Sequence, residues 1–242
     1  MRVAVFGVGG VGGYFGGRLA QAGNDVTFIA RGEQLRAIQE KGLMVDSSEG
    51  DFKIYPARAT ADVNEVGPVD LVIVGVKAWQ VREAAGAMKG LVGPNTTVVP
   101  LQNGVEAVSQ LAAELGANRI IGGLCRIVSY VVAPGHIRHA GFKPSIVIGE
   151  LDNQRTSRVV EIEKTFKDAG IETTIAPDIS VALWMKFLFI ASFSGIGAIA
   201  NAPAGILRTD PQWRTQMLQA MEEIYKLAHA RKIMLPPNSV EI

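Results

Sequence analysis

Near its start the chain reads Gly7-Val8-Gly9-Gly10-Val11-Gly12, the spacing G-x-G-x-x-G, between an apolar run "RVAVF" and a stretch of helical character. Glycines at these positions would do three things. The first permits a tight turn, the second lets a pyrophosphate approach the backbone, and the third lets helix and strand pack closely. Amide groups at the helix N-terminus would face the phosphates. The spacing alone is a weak signal, but a strand before and a helix after it make a dinucleotide site the stronger reading. The next apolar run ends "TFIAR", so Arg31 stands where an NAD enzyme holds an acid for the ribose hydroxyls. Arginine there suits a 2′-phosphate and points to NADP(H), with a solvated surface arginine as the alternative. Asp25 begins that same run, at the wrong end for a ribose. Lys77 in "VGVKAWQV" and Asn103 in "VPLQNGVE" each follow an apolar run. Both would stand at the carboxyl edge of an open α/β sheet, where ligands bind, although an exposed lysine and a turn asparagine are ordinary too.

These residues need elements to carry them. Strand-like runs "RVAVFG", "DVTFIA", "DLVIVGV" and "TTVVPLQNG" alternate with helical stretches "GYFGGRLAQAG" and "EQLRAIQEKG". A fifth strand is expected inside "RIIGGLCRIVSYVV". That rhythm predicts a Rossmann-type, doubly wound parallel sheet with right-handed crossovers. "LMVDSSEGDFKIYPARAT" and "GHIRHAGFKPSIVIGE" read as hairpins decorating a sheet edge. The amphipathic "QRTSRVVEIEKTFKDAG" and the strand "IETTIA" follow, and from Pro177 on only helices are expected. The second long one would be capped by Asp210 with Pro211 in its first turn. The expected division is therefore an NADP-binding α/β domain over residues 1–176 and an all-helical domain over 177–242.

Composition narrows the partners. The 242 residues carry 24 Lys+Arg against 23 Asp+Glu, a net charge of +1 that argues for a small-molecule partner rather than nucleic acid or an anionic membrane. Cys125 is the single cysteine, which excludes an internal disulfide and fits a reducing cytoplasm. With three scattered histidines, no metal site is expected. No signal-peptide pattern opens the chain. "VALWMKFLFIASFSGIGAIANAPAGIL" is long enough to raise the question of a membrane span. Lys186 interrupts it and Pro203 closes it, so a buried helix of a soluble protein is expected.

The glycine loop, Arg31, "VKAWQ", "QNG", "IGE" and "ALWMK" together resemble the ketopantoate reductase family (2-dehydropantoate 2-reductase) over nearly the whole chain. The resemblance implies a Rossmann domain followed by a helical one, with NADPH-dependent reduction of 2-dehydropantoate to (R)-pantoate on the route to pantothenate. It implies that Gly7 to Gly12 hold the pyrophosphate and that Arg31 binds the 2′-phosphate. Lys77 would assist at the adenosine-phosphate end, and Asn103 would lie near nicotinamide and substrate. Lys186 matches the family's catalytic lysine. A ketone accepting hydride gathers negative charge on oxygen, which an ammonium can stabilise and protonate.

The pattern also departs from the family. Asparagines are expected four and eight residues after the lysine, where this chain has Ile190 and Ser194, and another is replaced by Ala204. Ser194 keeps a hydrogen-bonding group for substrate; Ile190 and Ala204 do not. A different 2-keto acid, or another keto or hydroxy acid of a related two-domain dehydrogenase, is the alternative substrate. The family also runs on through further helices bearing a serine and a glutamate; Ser239 and Glu241 fall too early for those roles. The chain thus reads as shortened, and a helical domain with exposed apolar faces invites a second copy to form a homodimer. A dinucleotide-binding remnant without catalysis is the remaining alternative.

Overall fold

The computed structural model describes residues 1–240. They fall into two units, one made of residues 1–102 and 106–179, the other of 103–105 and 180 onward.

In the first unit, β1 (Arg2–Phe6), β2 (Asp25–Ile29), β5 (Arg58–Thr60), β6 (Leu71–Val74) and β7 (Thr97–Pro100) form one sheet in the order β5-β2-β1-β6-β7. Every neighbouring pair is parallel. Alternate side chains leave opposite faces of a strand. Val3 and Val5 of β1 and Leu71 and Ile73 of β6 accordingly join one core with Phe15 and Leu19 of α1 (Gly10–Gln21) and Ile38 of α2 (Gly32–Lys41). Ala4 and Phe6 of β1, and Val72 and Val74 of β6, turn to the other core. They meet Val81 and Ala85 of α3 (Val81–Ala87) and Leu111 of α4 (Ala107–Leu115). Helices on both faces leave the sheet dry, which is why β6 is an unbroken run of apolar residues. The doubly wound sheet expected from sequence is present.

A second sheet was not expected. β3 (Leu43–Ser47) and β4 (Phe52–Ile54) form an antiparallel hairpin. They belong to a sheet centred on β9 (His136–Gly149), which pairs in parallel with β3 along residues 136–139 and with β10 (Glu172–Ile175) along 145–148. β8 (Gly122–Ala133) runs antiparallel to β9. Two expectations are therefore corrected. The fifth parallel strand is β5, whereas "RIIGGLCRIVSYVV" supplies β8 and is joined to the first sheet's β7 by the isolated Val98–Ile120 bridge rather than by a ladder. The supposed edge decoration at 136–149 is the middle of a sheet. For β8 the physical reason is a turn at Pro134-Gly135, with Gly135 at φ 72°, which lets β8 and β9 pair along their length without a crossover; β9 is central because β3 and β10 also pair with it.

The two sheets enclose α1, and this accounts for the glycines that the dinucleotide motif leaves over. Toward the first sheet, a Cβ on Gly16 would come within 2.5 Å of Val5 Cγ2 and 2.9 Å of Phe28. Toward the second, a Cβ on Gly13 would meet Ile137 Cγ1 at 2.8 Å, and one on Gly17 would meet Phe52 at 2.7 Å. The end of β9 is tied to α5 (Ser157–Asp168) through Glu150 of "IGE", which is 5% exposed. Its carboxylate accepts from Arg158 Nε at 2.6 Å, and also from Arg158 Nη2 and the Thr156 hydroxyl. Burial alone would raise this carboxyl's pKa, but the hydrogen bonds and charge of Arg158, with Thr156, bring it below its ordinary value.

In the second unit, α6 (Ile179–Ala200), whose first residue closes the first unit, is followed by α7 (Ala204–Thr209) and α8 (Pro211–Ala230). Asp210 caps α8 by accepting from Gln212 and Trp213 amides at 2.9 and 3.2 Å, with Pro211 in the first turn, as expected. α6 meets the length and composition of a membrane span. The buried helix expected is buried along one stripe: Trp184, Leu188, Ser192 and Ile196 recur at four-residue spacing, while Phe189 and Ile199 are exposed. Trp184 and Leu188 share a core with Met221 and Ala228 of α8, and Ile196 shares another with Leu207 and Met217.

Candidate cofactor-binding site

Phe6 ends β1, and Gly7 turns the chain with φ 97°, a conformation that favours glycine over any residue with a side chain. The turn is crowded. A Cβ on Gly7 would lie 2.8 Å from the Val76 amide nitrogen, one on Gly75 would lie 2.7 Å from the Gly7 carbonyl oxygen, and one on Gly12 would overlap that same oxygen. The first and third glycines of the motif thus serve the turn and the close packing assigned to them. Gly10 is pressed instead against the Ser129 backbone of β8. Gly9 differs from all of these. Nothing lies within 4 Å of where its Cβ would be, and it is the N-cap of α1, with no side-chain cap hydrogen bond. A helix N-terminus without a side-chain cap, beside a glycine facing open space, fits an anionic pyrophosphate.

Val8 and Val11 contribute backbone to this loop while their side chains join the core between the sheets. The Val8 carbonyl accepts from Gln34 Nε2 at 2.9 Å, and Gln34 Oε1 accepts from the Gly135 amide at 2.9 Å. One side chain of α2 therefore braces the glycine loop against the β8–β9 turn. Gln102, 8% exposed at the end of β7, donates to the Val74 and Val76 carbonyls at 2.9 and 3.1 Å and holds the other side of the crossing. Neither bracing role was read from the sequence: Gln102 stood there only as part of "QNG", and Gln34, a polar residue in an amphipathic helix, carries no particular signal.

A groove of about 340 Å³ opens over this turn at the carboxyl edge of β1, β2 and β6. Gly7, Val8 and Gly9 form its floor, and Arg31, Lys77 and Glu83 stand around it. Arg31 precedes α2 and Lys77 follows β6, so the sheet brings together residues 46 positions apart. The Lys77 amide donates to Gln80 Oε1 at 3.1 Å, which fixes the turn carrying the lysine. Arg31 and Glu83 face each other at 3.9 Å, and both are largely exposed. Asn103 is exposed and groups with the helical unit; it is not among the residues lining the groove. A second cavity, of about 420 Å³, lies at the amino edge of the sheet. Its charges are already engaged: Arg58 with Asp25 at 2.6 Å, and Arg2 with the Val66 and Pro68 carbonyls at 3.0 Å. The carboxyl edge is the place for ligands in such sheets.

In the helical unit, Lys186, Ile190 and Ser194 recur every four residues on α6 and so share one face. They are offset by two positions from the buried Trp184–Leu188–Ser192–Ile196 stripe, which puts them on the opposite side of the helix. Lys186 and Ile190 are half-buried and Ser194 is exposed. Ala204, the first residue of α7, is exposed. The Ser239 hydroxyl donates to the Pro236 carbonyl at 2.5 Å, and Glu241 lies outside the described residues. Among the described residues no group of three or more His, Cys, Asp or Glu could hold a metal ion.

A parallel sheet in this order, with a glycine turn and two cations at its carboxyl edge and helices following, defines an oxidoreductase built on a nicotinamide-dinucleotide fold. Residues 3–153 match the family described as ketopantoate reductase PanE/ApbA, and residues 178–241 match its C-terminal counterpart. The chain belongs to the ketopantoate reductase family. It is 35% identical over 211 residues to the uncharacterized oxidoreductase YkpB of Bacillus subtilis, covering 87% of this chain and 69% of that one. It is 30% identical over 245 residues to 2-dehydropantoate 2-reductase of a Nostoc species, covering 99% and 76% respectively. The crystal structure of 2-dehydropantoate 2-reductase from Porphyromonas gingivalis superposes with a TM-score of 0.93 at 28% identity, covering 100% of this chain and 86% of that one.

Proposed function

We propose that the chain reduces a 2-keto acid with NADPH, converting 2-dehydropantoate to (R)-pantoate for pantothenate synthesis in the cytoplasm. The observation that carries the cofactor assignment is the groove: open space above Gly9, with Arg31 and Lys77 on its rim and no acid at the end of β2. The substrate assignment is supported by family membership and by the activity that relatives such as the Nostoc protein bear in their names. When bound, the dinucleotide supplies hydride. The residues of this chain do the rest. The amides at the start of α1 bind the pyrophosphate, Arg31 takes the 2′-phosphate, and Lys77 assists it. Lys186 Nζ holds the proton that passes to the ketone oxygen as charge develops there. Asn103 and Ser194 orient the substrate by hydrogen bonds.

A second reading, a related keto acid in place of 2-dehydropantoate, is favoured by Ile190 and Ala204, which offer no side-chain hydrogen bond. NADPH oxidation followed by absorbance with a panel of 2-keto acids tests both. Fastest turnover of 2-dehydropantoate supports the first reading, and fastest turnover of another acid moves the assignment to the second. In the same assay Lys186→Ala should lower kcat about 10²–10⁴-fold with NADPH affinity unchanged. Full kcat at saturating NADPH would remove Lys186 from the chemistry.

A further inference from the structure

The groove that binds the adenosine end in this reading holds one feature at odds with a simple 2′-phosphate site. The acid missing from the end of β2 is supplied by another element. Glu83, in the first turn of α3, lines the groove and places Oε1 3.9 Å from Arg31 Nη1. Among the described residues lining the groove it is the acid beside two cations, Arg31 and Lys77.

Two consequences follow from charge alone. A 2′-phosphate carries more than one negative charge near neutral pH. It must share Arg31 with a carboxylate that already faces the guanidinium, and the two anions repel one another. A ribose with a free 2′-hydroxyl presents a donor instead, for which a carboxylate is the matching acceptor. The same side chain therefore opposes one cofactor and favours the other. Arg31 and Glu83 are 71% and 77% exposed, so either can swing to meet or avoid a ligand, and solvent moderates both effects.

We propose that Glu83 is a specificity-determining residue: it narrows the preference for NADPH over NADH by competing with the 2′-phosphate for Arg31 and accepting from the 2′-hydroxyl of NADH. This rests on the reading of the groove as the dinucleotide site. It makes the chain a reductase able to draw on both cofactors, with Arg31 and Glu83 as opposed settings of one selectivity.

The test is direct binding of NADPH and of NADH to the full chain and to Glu83→Gln, by quenching of protein fluorescence at low and at high salt. Glu83→Gln keeps the size of the side chain and removes its charge. NADPH should bind about three- to fivefold tighter and NADH correspondingly weaker, with the shift shrinking as salt is raised. Arg31→Ala should move the ratio the opposite way. A ratio unchanged within twofold in Glu83→Gln, or equal shifts for both cofactors, overturns the proposal while leaving the groove as the dinucleotide site. Binding of neither cofactor by the unaltered chain overturns the groove assignment and the proposal together. Because the readout is a ratio on one protein, a general loss of stability cannot imitate the expected result.

Discussion

Alanine at Gly9 and alanine at Gly12 should have opposite consequences, although the two glycines are three residues apart in one motif. Gly9 sits at φ −87° and ψ −162°, extended backbone open to any residue, with nothing within 4 Å of an added methyl. Gly9→Ala should change stability by less than about 1 kcal/mol, because the freedom it removes from the unfolded chain offsets the poorer N-cap that alanine makes. The added methyl stands in the space assigned to the pyrophosphate. Displacing a ligand by even a fraction of a bond length there should cost about 1.4 kcal/mol or more, about tenfold in NADPH affinity. At Gly12 the methyl would overlap the Gly7 carbonyl oxygen and lie 3.1 Å from Val5 Cγ1. The oxygen belongs to a rigid turn and cannot give way without moving β1. Overpacking of this kind costs about 1–3 kcal/mol, and at about 2–4 °C per kcal/mol the melting temperature should fall by roughly 2–12 °C. Circular-dichroism melts without ligand, paired with an NADPH titration, read both quantities. A Gly9→Ala variant that melts as low as Gly12→Ala, or that binds NADPH as tightly as the parent, would refute the division of labour between the two glycines.

Three further outcomes are expected. Arg31→Ala should weaken NADPH about ten- to a hundredfold, the worth of a charge-assisted contact of about 1.5–3 kcal/mol, and leave NADH nearly untouched; equal losses for both would remove Arg31 from the phosphate site. Ile190→Asn should raise kcat/KM for 2-dehydropantoate by at most about tenfold through one neutral hydrogen bond, whereas lower activity with a lower melting temperature would make Ile190 a packing residue. Glu150 has a carboxyl pKa below its ordinary 4.5, so its pairing with Arg158 stabilises the fold above that value and the stabilisation is lost as pH falls through the folded value. Urea melts of Glu150→Gln should therefore show lower stability at neutral pH, by about 1–3 kcal/mol, and a flatter dependence on pH below about 5 than the parent; parallel pH profiles would refute it.

The first sheet and its glycine turn were legible because their signals are local. The unbroken apolar run Val3, Ala4, Val5 and Phe6, buried throughout, and the sharp stop at Gly7 need no knowledge of distant residues. The groove followed from the same logic, since Arg31 and Lys77 come at the ends of strands that any parallel sheet aligns. What escaped was everything decided by pairing across long separations. Whether residues 136–149 are an edge or a centre depends on Leu43–Ser47 and Glu172–Ile175 arriving on the same flank, and no pattern within the segment encodes that. Glu83 escaped for a similar reason: an exposed glutamate on a short helix is unremarkable until the fold puts it opposite Arg31. Gly13 and Gly17 were visible as an excess of glycine, but their meaning lay in Ile137 and Phe52, more than thirty residues downstream.

The enclosure of α1 bears on how far the nucleotide-binding half can be treated as a transplantable cassette. α1 contains five glycines, each about 1 kcal/mol less favourable in a helix than alanine, a handicap of about 5 kcal/mol that no property of the helix itself offsets. Close approach by Ile137 and Phe52 on one side and Val5 and Phe28 on the other provides the compensation. A fragment ending before β8 would keep the glycine motif, Arg31 and Lys77, yet would strip Ile137 from Gly13, the Ser129 backbone from Gly10 and the Gly135 amide from Gln34. Such a fragment should bind dinucleotide poorly despite holding the charged rim of the groove. Designers who lift a dinucleotide motif from this chain into another scaffold would have to bring the β8–β9 hairpin with it, or replace the surplus glycines by residues suited to an exposed helix.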